Sequence, residues 1–286
     1  MKRREMAKKM VGEEKIPLKI ALQVANVNRT GYYYLPKNGK DLRKKPLDPA
    51  LKTLLENLNG YESVYGYRKV TELFVIYNHK KVYRHMSELH LLQPRKLKKK
   101  RYTRLPIECP VGPDIRWEGD LTYVFDGERL NYLFAVADAS DKEIIGDHYG
   151  MQCRAEEAIS SLDTAVQQRF GSLEPCPYYR VSLRVDQGSQ YVSKKFRERA
   201  KELGVKLDFC GIDCPDDKPF IECFFARYKC EEVYRNEYRG FTQAFSGWAG
   251  YKKWYNNGRI HQGLNFMTIP EFKQTRGLLI QPAFLS

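Results

Sequence analysis

Three runs over residues 115–150, IRWEGDLTYVF, RLNYLFAVAD and KEIIGDHYG, are rich in β-branched and aromatic residues and are divided by Asp-Gly and Ser-Asp turn signals. Three consecutive antiparallel strands follow from that pattern. Next come AEEAISSLDTAVQQRF, with Ala158, Leu162, Ala165 and Val166 at helical spacing, and the strand-like YYRVSLRV. The helical KKFRERAKELG then closes on Gly204 and leads into a short strand, VKLDF. Strands first and alternation after predict an α/β layer fold with a mixed five-stranded sheet and flanking helices.

Asp120 then lies inside the first strand, and Asp186 lies just past a later one, at the carboxyl edge where open sheets place their sites. Glu222 lies near the start of a helix that Pro219 opens. In PFIECFFARYKCEEVY, Phe220, Cys223, Phe224 and Arg227 share one helical face, while Glu222, Ala226 and Lys229 share a neighbouring one. Three carboxylates from separate elements at one sheet edge suit Mg²⁺, which takes oxygen ligands and keeps room for water and phosphate. Two such ions, about 3.5–4 Å apart, activate an attacking oxygen and stabilise a leaving one at phosphorus. Spacing alone is a weak signal, because 35 acidic residues in 286 make any position acidic about one time in eight. Each carboxylate taken singly reads equally well as a surface group, so the sequence around the three has to decide.

The charge is divided unevenly. Residues 1–104 hold 26 Lys/Arg against 9 Asp/Glu, whereas the remainder holds 23 against 26, within a net charge of +14. A basic front third joined to a near-neutral remainder points to a nucleic-acid module attached to something else. In residues 16–36, Leu18, Ala21, Leu22 and Ala25 fall at helical spacing before an Asn-Arg-Thr-Gly break. From Arg68 to Tyr77 the residues Val70, Leu73, Phe74 and Tyr77 form one helical stripe, and Asn78 can cap a following helix. In that second helix Val82, Met86 and Leu89 face inward, leaving Lys80, Lys81, Arg84 and His85 on the exposed side. Two helices with a tight turn and a cationic second helix match a helix-turn-helix, although a plain helical hairpin has the same composition. The run RKLKKKR, Arg95–Arg101, follows Pro94 and suits a phosphate backbone as well as a domain boundary. The expected organisation is a helical DNA-binding region over 1–94, a basic linker over 95–110, a catalytic core over 111–275 and a tail over 276–286.

No stretch approaches a membrane span, and the charged start lacks an apolar signal region, so a cytoplasmic, nucleoid-associated protein is expected. The seven Cys, all beyond residue 104, do not form a disulfide pattern. Cys210, Cys214, Cys223 and Cys230 lack the CxxC pairs or neighbouring His of a zinc site and read as buried small apolar side chains.

Several segments, in this order, resemble the second-reading-frame transposases of bacterial insertion sequences, whose catalytic domain is similar to the retroviral integrase core. They are NVNRTGYYY, YGYRKV, NHKKVYR, RWEGDLTYV, VADASDKEIIG, VDQGSQYVSKKFRERAKELGVK, ECFFARYK and WYNNGRIHQGLNFMTIPEF, together with the 35 residues between Asp186 and Glu222. The resemblance implies a ribonuclease-H-like core preceded by an all-α helix-turn-helix region. It implies Mg²⁺-dependent strand cleavage and 3′-OH strand transfer, with Asp120, Asp186 and Glu222 as catalytic metal ligands for two Mg²⁺ ions and Mn²⁺ as a substitute. It also implies Lys229 as a DNA contact, and Gln190 and Tyr191 beside the site. With Arg68, Lys80, Lys81 and Arg84 of the front third, Gln190 and Lys229 complete the expected DNA-binding residues. His261 reads equally well as a DNA contact or a structural hydrogen bond. DNA, further copies of the chain in a synaptic complex, and an upstream-frame product are the implied partners.

The chain departs from the family where Val185 replaces a small polar residue, and where Pro215, Asp216, Asp217, Lys218 and Pro219 replace Pro-x-Asp-Asn-Ala. That altered loop leaves open a catalytically silent DNA-binding remnant, and the shared core leaves open a ribonuclease-H-like nuclease.

Overall fold

The computed structural model describes residues 3–33, 46–93, 110, 112–174, 181–211 and 218–276. The basic run Arg95–Arg101, Cys109, Cys176, Cys214, the loop residues Asp216 and Asp217, and the tail beyond 276 lie outside the described residues. The chain divides into two compact units, 1–57 and 58–286.

In the first unit, α1 (Arg3–Gly12), α2 (Leu18–Val24) and α3 (Arg29–Tyr33) bury Ala7, Ala21 and Ala25. Small residues at those positions let the helices approach closely. A fourth helix, α4 (Pro49–Glu56), starts where Asp48 accepts hydrogen bonds from the Ala50 and Leu51 backbone amides.

The second unit opens with a 3₁₀ turn over Gly60–Val64, then α5 (Tyr67–Phe74) and α6 (His79–Glu88). The cap foreseen at Asn78 is present, its side chain accepting from Lys80 N at 2.9 Å. Val70, Val82 and Met86 are buried, so the two helices pair through an apolar stripe. His85 is a correction: it is buried, its Nδ1 2.9 Å from Lys81 O, because positions 82, 85, 86 and 89 form one stripe. Leu73, placed in the inner stripe from spacing, is instead exposed. The contact division between the two units lies between Asn57 and Leu58, and within the second unit Tyr61 stacks on Trp254 with ring centroids 4.5 Å apart.

The expected mixed sheet follows, in strand order β3-β2-β1-β4-β5. Strands β1 (Arg116–Phe125), β2 (Leu130–Asp138) and β3 (Ile144–Gly150) are antiparallel, and β4 (Ser182–Val185) and β5 (Lys206–Phe209) add parallel to β1. The first hairpin turns at Asp126, which accepts from the Glu128 and Arg129 amides and from Asn131 Nδ2. Gly127 there has φ +97°, and a Cβ would lie 2.5 Å from Tyr238 O, so glycine is required.

Helices cover both faces. On one, α7 (Ala155–Phe170) and α9 (Lys194–Glu202), which follows the short α8 (Ser189–Val192), enclose Trp117, Phe134, Val136 and Leu183. On the other, α10 (Pro219–Glu231), α11 (Phe241–Asn257) and α12 (Ile269–Thr275) enclose Leu133, Ala135, Ala137, Trp248 and Tyr251. Alternation along β2 sends even-numbered residues to one core and odd-numbered residues to the other. Each fully buried large side chain contributes roughly 1.5–3 kcal/mol, so both layers anchor the sheet that carries the site. At Gly146 the backbone of α7 comes so close that a Cβ would lie 2.2 Å from Ser161 O.

Candidate active site

The register of β1 and β4 decides what meets what. Glu118 pairs with Arg184, so Asp120 and Asp186, each two residues further on, fall level and on the same face of the sheet. By then β4 has ended, and Asp186 accepts from Gly188 N at 2.8 Å as the chain turns into α8. A Cβ on Gly188 would lie 2.8 Å from that carboxylate oxygen and 2.4 Å from Gln190 Nε2, so a larger residue there would displace those side chains.

A lysine that sequence reading did not assign to the site stands between the two carboxylates. Lys218 Nζ lies 3.0 Å from Asp120 Oδ1 and 3.3 Å from Asp186 Oδ2, with Gly119 O at 3.5 Å. Lys218 is 6% exposed. Burial opposes its charge, but the two aspartates outweigh that and hold it charged beyond the usual lysine range. Burial also pushes Asp120 above the ordinary aspartate range, with the Lys218 ammonium opposing the shift. The only sequence signal for this residue was the departure of 215–219 from the family pattern.

Glu118 holds the third element in place. Fully buried on β1, it accepts from Phe220 N at 2.9 Å and Ile221 N at 3.0 Å, the free amides of the first turn of α10. A carboxylate at a helix N-terminus is favourable, and Arg116 approaches within 3.5 Å to share the charge. Only Gly119 separates Glu118 from Asp120, so the start of α10 is pinned beside the aspartate pair. Pro219 occupies the first helical position as foreseen.

Glu222 lies exposed in that first turn. Among the described residues no three His, Cys, Asp or Glu side chains stand close enough to hold a metal. The structure therefore brings Asp120 and Asp186 together and leaves Glu222 outside their group. The pair itself fits a cation: two hard oxygen ligands already converge on one positive centre, that of Lys218. Asp120 and Asp186 are the residues that could hold a divalent ion here.

The other expected residues are dispersed. Tyr191 is buried in α8, where the charges of Asp120 and Asp186 act with burial to raise its phenol well above the usual value. Gln190, also buried, folds back over Gly188. Lys229 lies about 16 Å along the α10 axis from Lys218, at 1.5 Å per residue, among Tyr123, Phe125 and Tyr234. Arg68 is exposed and donates to Tyr67 Oη, while Lys80, Lys81 and Arg84 lie on α6, where Lys81 sits over the Tyr77 ring and Arg84 lies 4.0 Å from Glu88. His261 is buried, with Nε2 3.3 Å from Tyr255 O, and burial holds it neutral with a pKa of about 3. Cys210 is buried as expected, whereas Cys223 and Cys230 are exposed on α10, because the buried stripe there runs through Ile221, Phe224, Phe225 and Tyr228.

The integrase core domain family model matches residues 110–214, a span that includes Asp120 and Asp186 and ends before Lys218. The chain is similar to the putative transposase InsK for insertion sequence element IS150 of Escherichia coli strain K12, at 27% identity, covering 90% of this chain and 93% of that one. It is 25% identical to the transposase for insertion sequence element IS904 of Lactococcus lactis, over 57% of this chain and 63% of that one. Among solved structures it is similar to the HTLV-2 integrase catalytic core domain in complex with magnesium, at 13% identity and TM-score 0.45, over 57% of this chain and 97% of that one. Among the described residues no helix is long and apolar enough to cross a membrane.

Proposed function

We propose that the chain is an insertion-sequence transposase of the retroviral-integrase-like superfamily, in keeping with its match to the integrase core domain and its similarity to insertion-sequence transposases, and that it cleaves DNA at the ends of a mobile element and joins the 3′-OH to target DNA. The observation that carries this reading is the convergence of Asp120 and Asp186 on a single cation at the end of β4.

In this reading Asp120 and Asp186 would hold Mg²⁺ or Mn²⁺, and Glu222, which stands outside their group in this structure, would supply the third carboxylate from the first turn of α10. Divalent ions held there would activate the attacking oxygen and stabilise the leaving oxygen in an in-line displacement at phosphorus. Glu118 fixes the helix that presents Glu222, and Gly188 keeps the Asp186 turn tight. With a divalent ion held by the aspartates, the Lys218 ammonium beside them would be placed to meet a phosphate. Arg68, Lys80, Lys81 and Arg84 contact DNA phosphates, and Gln190 and Lys229 contact the element end. Synapsis of two ends requires more than one copy of the chain.

Lys218 also favours a second reading, in which it neutralises the aspartate pair permanently and the chain binds DNA without cutting it. One assay separates the two: the full chain is incubated with a plasmid carrying its element and Mn²⁺, and excised and joined products are counted. The transposase reading predicts joined products that Asp186→Asn abolishes. Joining by Asp186→Asn at the wild-type level refutes it, and binding without any product from the wild type supports the silent protein.

A further inference from the structure

Two residues on from Lys218, Phe220 forms part of the wall of a cavity of about 820 Å³. The cavity opens between residues 64–69, one face of α10 and the segment that follows α11. Its α10 wall is the face on which helical spacing placed Phe220, Cys223, Phe224 and Arg227.

The wall is strongly cationic. Arg68, Lys69, Lys142, Arg227 and Arg259 line it, against one carboxylate, Glu231. That carboxylate is already taken: Arg259 donates to it at 2.6 and 2.8 Å and Tyr251 Oη at 2.9 Å. Among the described residues no other acidic residue lines the cavity, so four basic side chains of the described wall face it without a described acid to balance them. Lys69 Nζ sits 4.4 Å from the Tyr65 ring centroid, and Lys142 Nζ 4.4 Å from that of Phe220. Both ammonium groups are thus held by aromatic faces, which attract a cation but leave its remaining N–H donors available.

We propose that this cavity is a phosphate-binding site for a DNA strand running on from the Asp120–Asp186 pair, with Lys69 and Arg227 as its principal grips. Guanidinium forks and ammonium groups together are the usual donors to phosphate oxygens. The volume lies in the range of sites that enclose a small molecule, larger than one phosphate needs, and so suits a phosphodiester with its neighbouring sugar. Phe220 in the wall and Lys218 on the aspartates are two residues apart at the start of α10, so one helix borders both the cavity and the candidate active site. The anion site stands on the cavity itself; the identification of its ligand as DNA rests on the transposase reading.

Burial pushes the Lys69 ammonium down to about 7, with the Arg259 and Arg227 charges acting in the same direction and Glu231 and Cys223 against it. A bound phosphate restores the proton, so affinity should weaken as pH rises through neutrality.

The test is calorimetric titration of the full chain, in EDTA, with 5′-phosphorylated dithymidine, inorganic phosphate and a hexaglutamate peptide. The dinucleotide should bind most tightly. Lys69→Met and Arg227→Gln should each weaken it about ten- to a hundredfold, the scale of a lost charge-assisted hydrogen bond. The exposed Lys253→Ala should leave it unchanged. Lys69→Arg should retain binding and flatten its pH dependence between about pH 6.5 and 8.5. Met keeps the lysine stem, and an unchanged thermal midpoint shows that the variant is folded. Wild-type affinity in both Lys69→Met and Arg227→Gln overturns the site. Equal affinity for inorganic phosphate or for hexaglutamate overturns its assignment to a nucleic-acid strand. Because metal is absent and no joining is read, these outcomes are independent of whether the chain cuts DNA.

Discussion

Lys218 places its ammonium between the two carboxylates, 3.0 Å from Asp120 Oδ1 and 3.3 Å from Asp186 Oδ2. The cation at the pair is therefore part of the chain, and on the proposed reading a divalent ion would compete with it.

Replacing Lys218 with Asn should raise divalent-metal affinity. Removing a neighbouring cation from two metal ligands acts on the scale of about ten- to a hundredfold, as other changes beside metal ligands do. The measurement is the rise in thermal midpoint with added Mn²⁺, which reports binding to the folded state. The midpoint of Lys218→Asn should respond at lower Mn²⁺ than the wild type; an identical response means that Lys218 does not compete.

Glu118→Ala should destabilise the second unit by about 1–3 kcal/mol, because the Phe220 and Ile221 amides lose a buried acceptor. Glu118→Gln retains an acceptor oxygen and should recover part of the loss. Urea unfolding midpoints test this, and equal midpoints for Glu118→Ala and the wild type contradict the capping role.

His261 predicts a pH dependence with a definite sign. Its folded pKa of about 3 lies below the ordinary value near 6.5, so on acidification the unfolded chain takes the proton first. Its contribution to stability is intact above about pH 6.5, declines as pH falls, and levels off near pH 3. His261→Gln should remove that part of the slope in guanidinium titrations repeated across this range. A slope equal to that of the wild type would show that His261 is protonated in the folded state.

Lys80, Lys81 and Arg84 on α6 should bind phosphates together. Neutralising all three should reduce the slope of log affinity against log salt by up to about 2.7, at 0.9 per phosphate contact. His85, one residue on, is buried, so His85→Ala should lower thermal stability while leaving the salt slope unchanged. An unchanged slope in the triple variant removes α6 from the DNA interface.

The sheet was legible because its signals are local: β-branched runs at period two, an Asp-Gly turn at 126–127 and helical stripes in α7 and α9 are each set by neighbouring residues. Asn78 and Pro219 were legible for the same reason, since a cap or a first-turn proline acts within one turn. Glu118 was not, because its partners are about a hundred residues away and only the register of β1 against α10 brings them together. Lys218 was visible only as a break in a pattern; its role depends on Asp120 and Asp186 falling level on adjacent parallel strands. His85 was misplaced because helical spacing fixes which residues share a stripe but not how wide the buried part is. Helix α11 and the capping box of Thr268 and Glu271 on α12 went unread, although Ala244, Trp248, Tyr251 and Tyr255 lie buried at helical spacing and the box acts within one turn.

The most direct test is Mn²⁺ binding followed by electron paramagnetic resonance in the wild type, Asp120→Asn and Asp186→Asn, without DNA. If the aspartate pair is the metal site, the wild type binds Mn²⁺ and each variant loses affinity by about tenfold or more. Undiminished Mn²⁺ binding in both variants would place the metal elsewhere and contradict the assignment of Asp120 and Asp186.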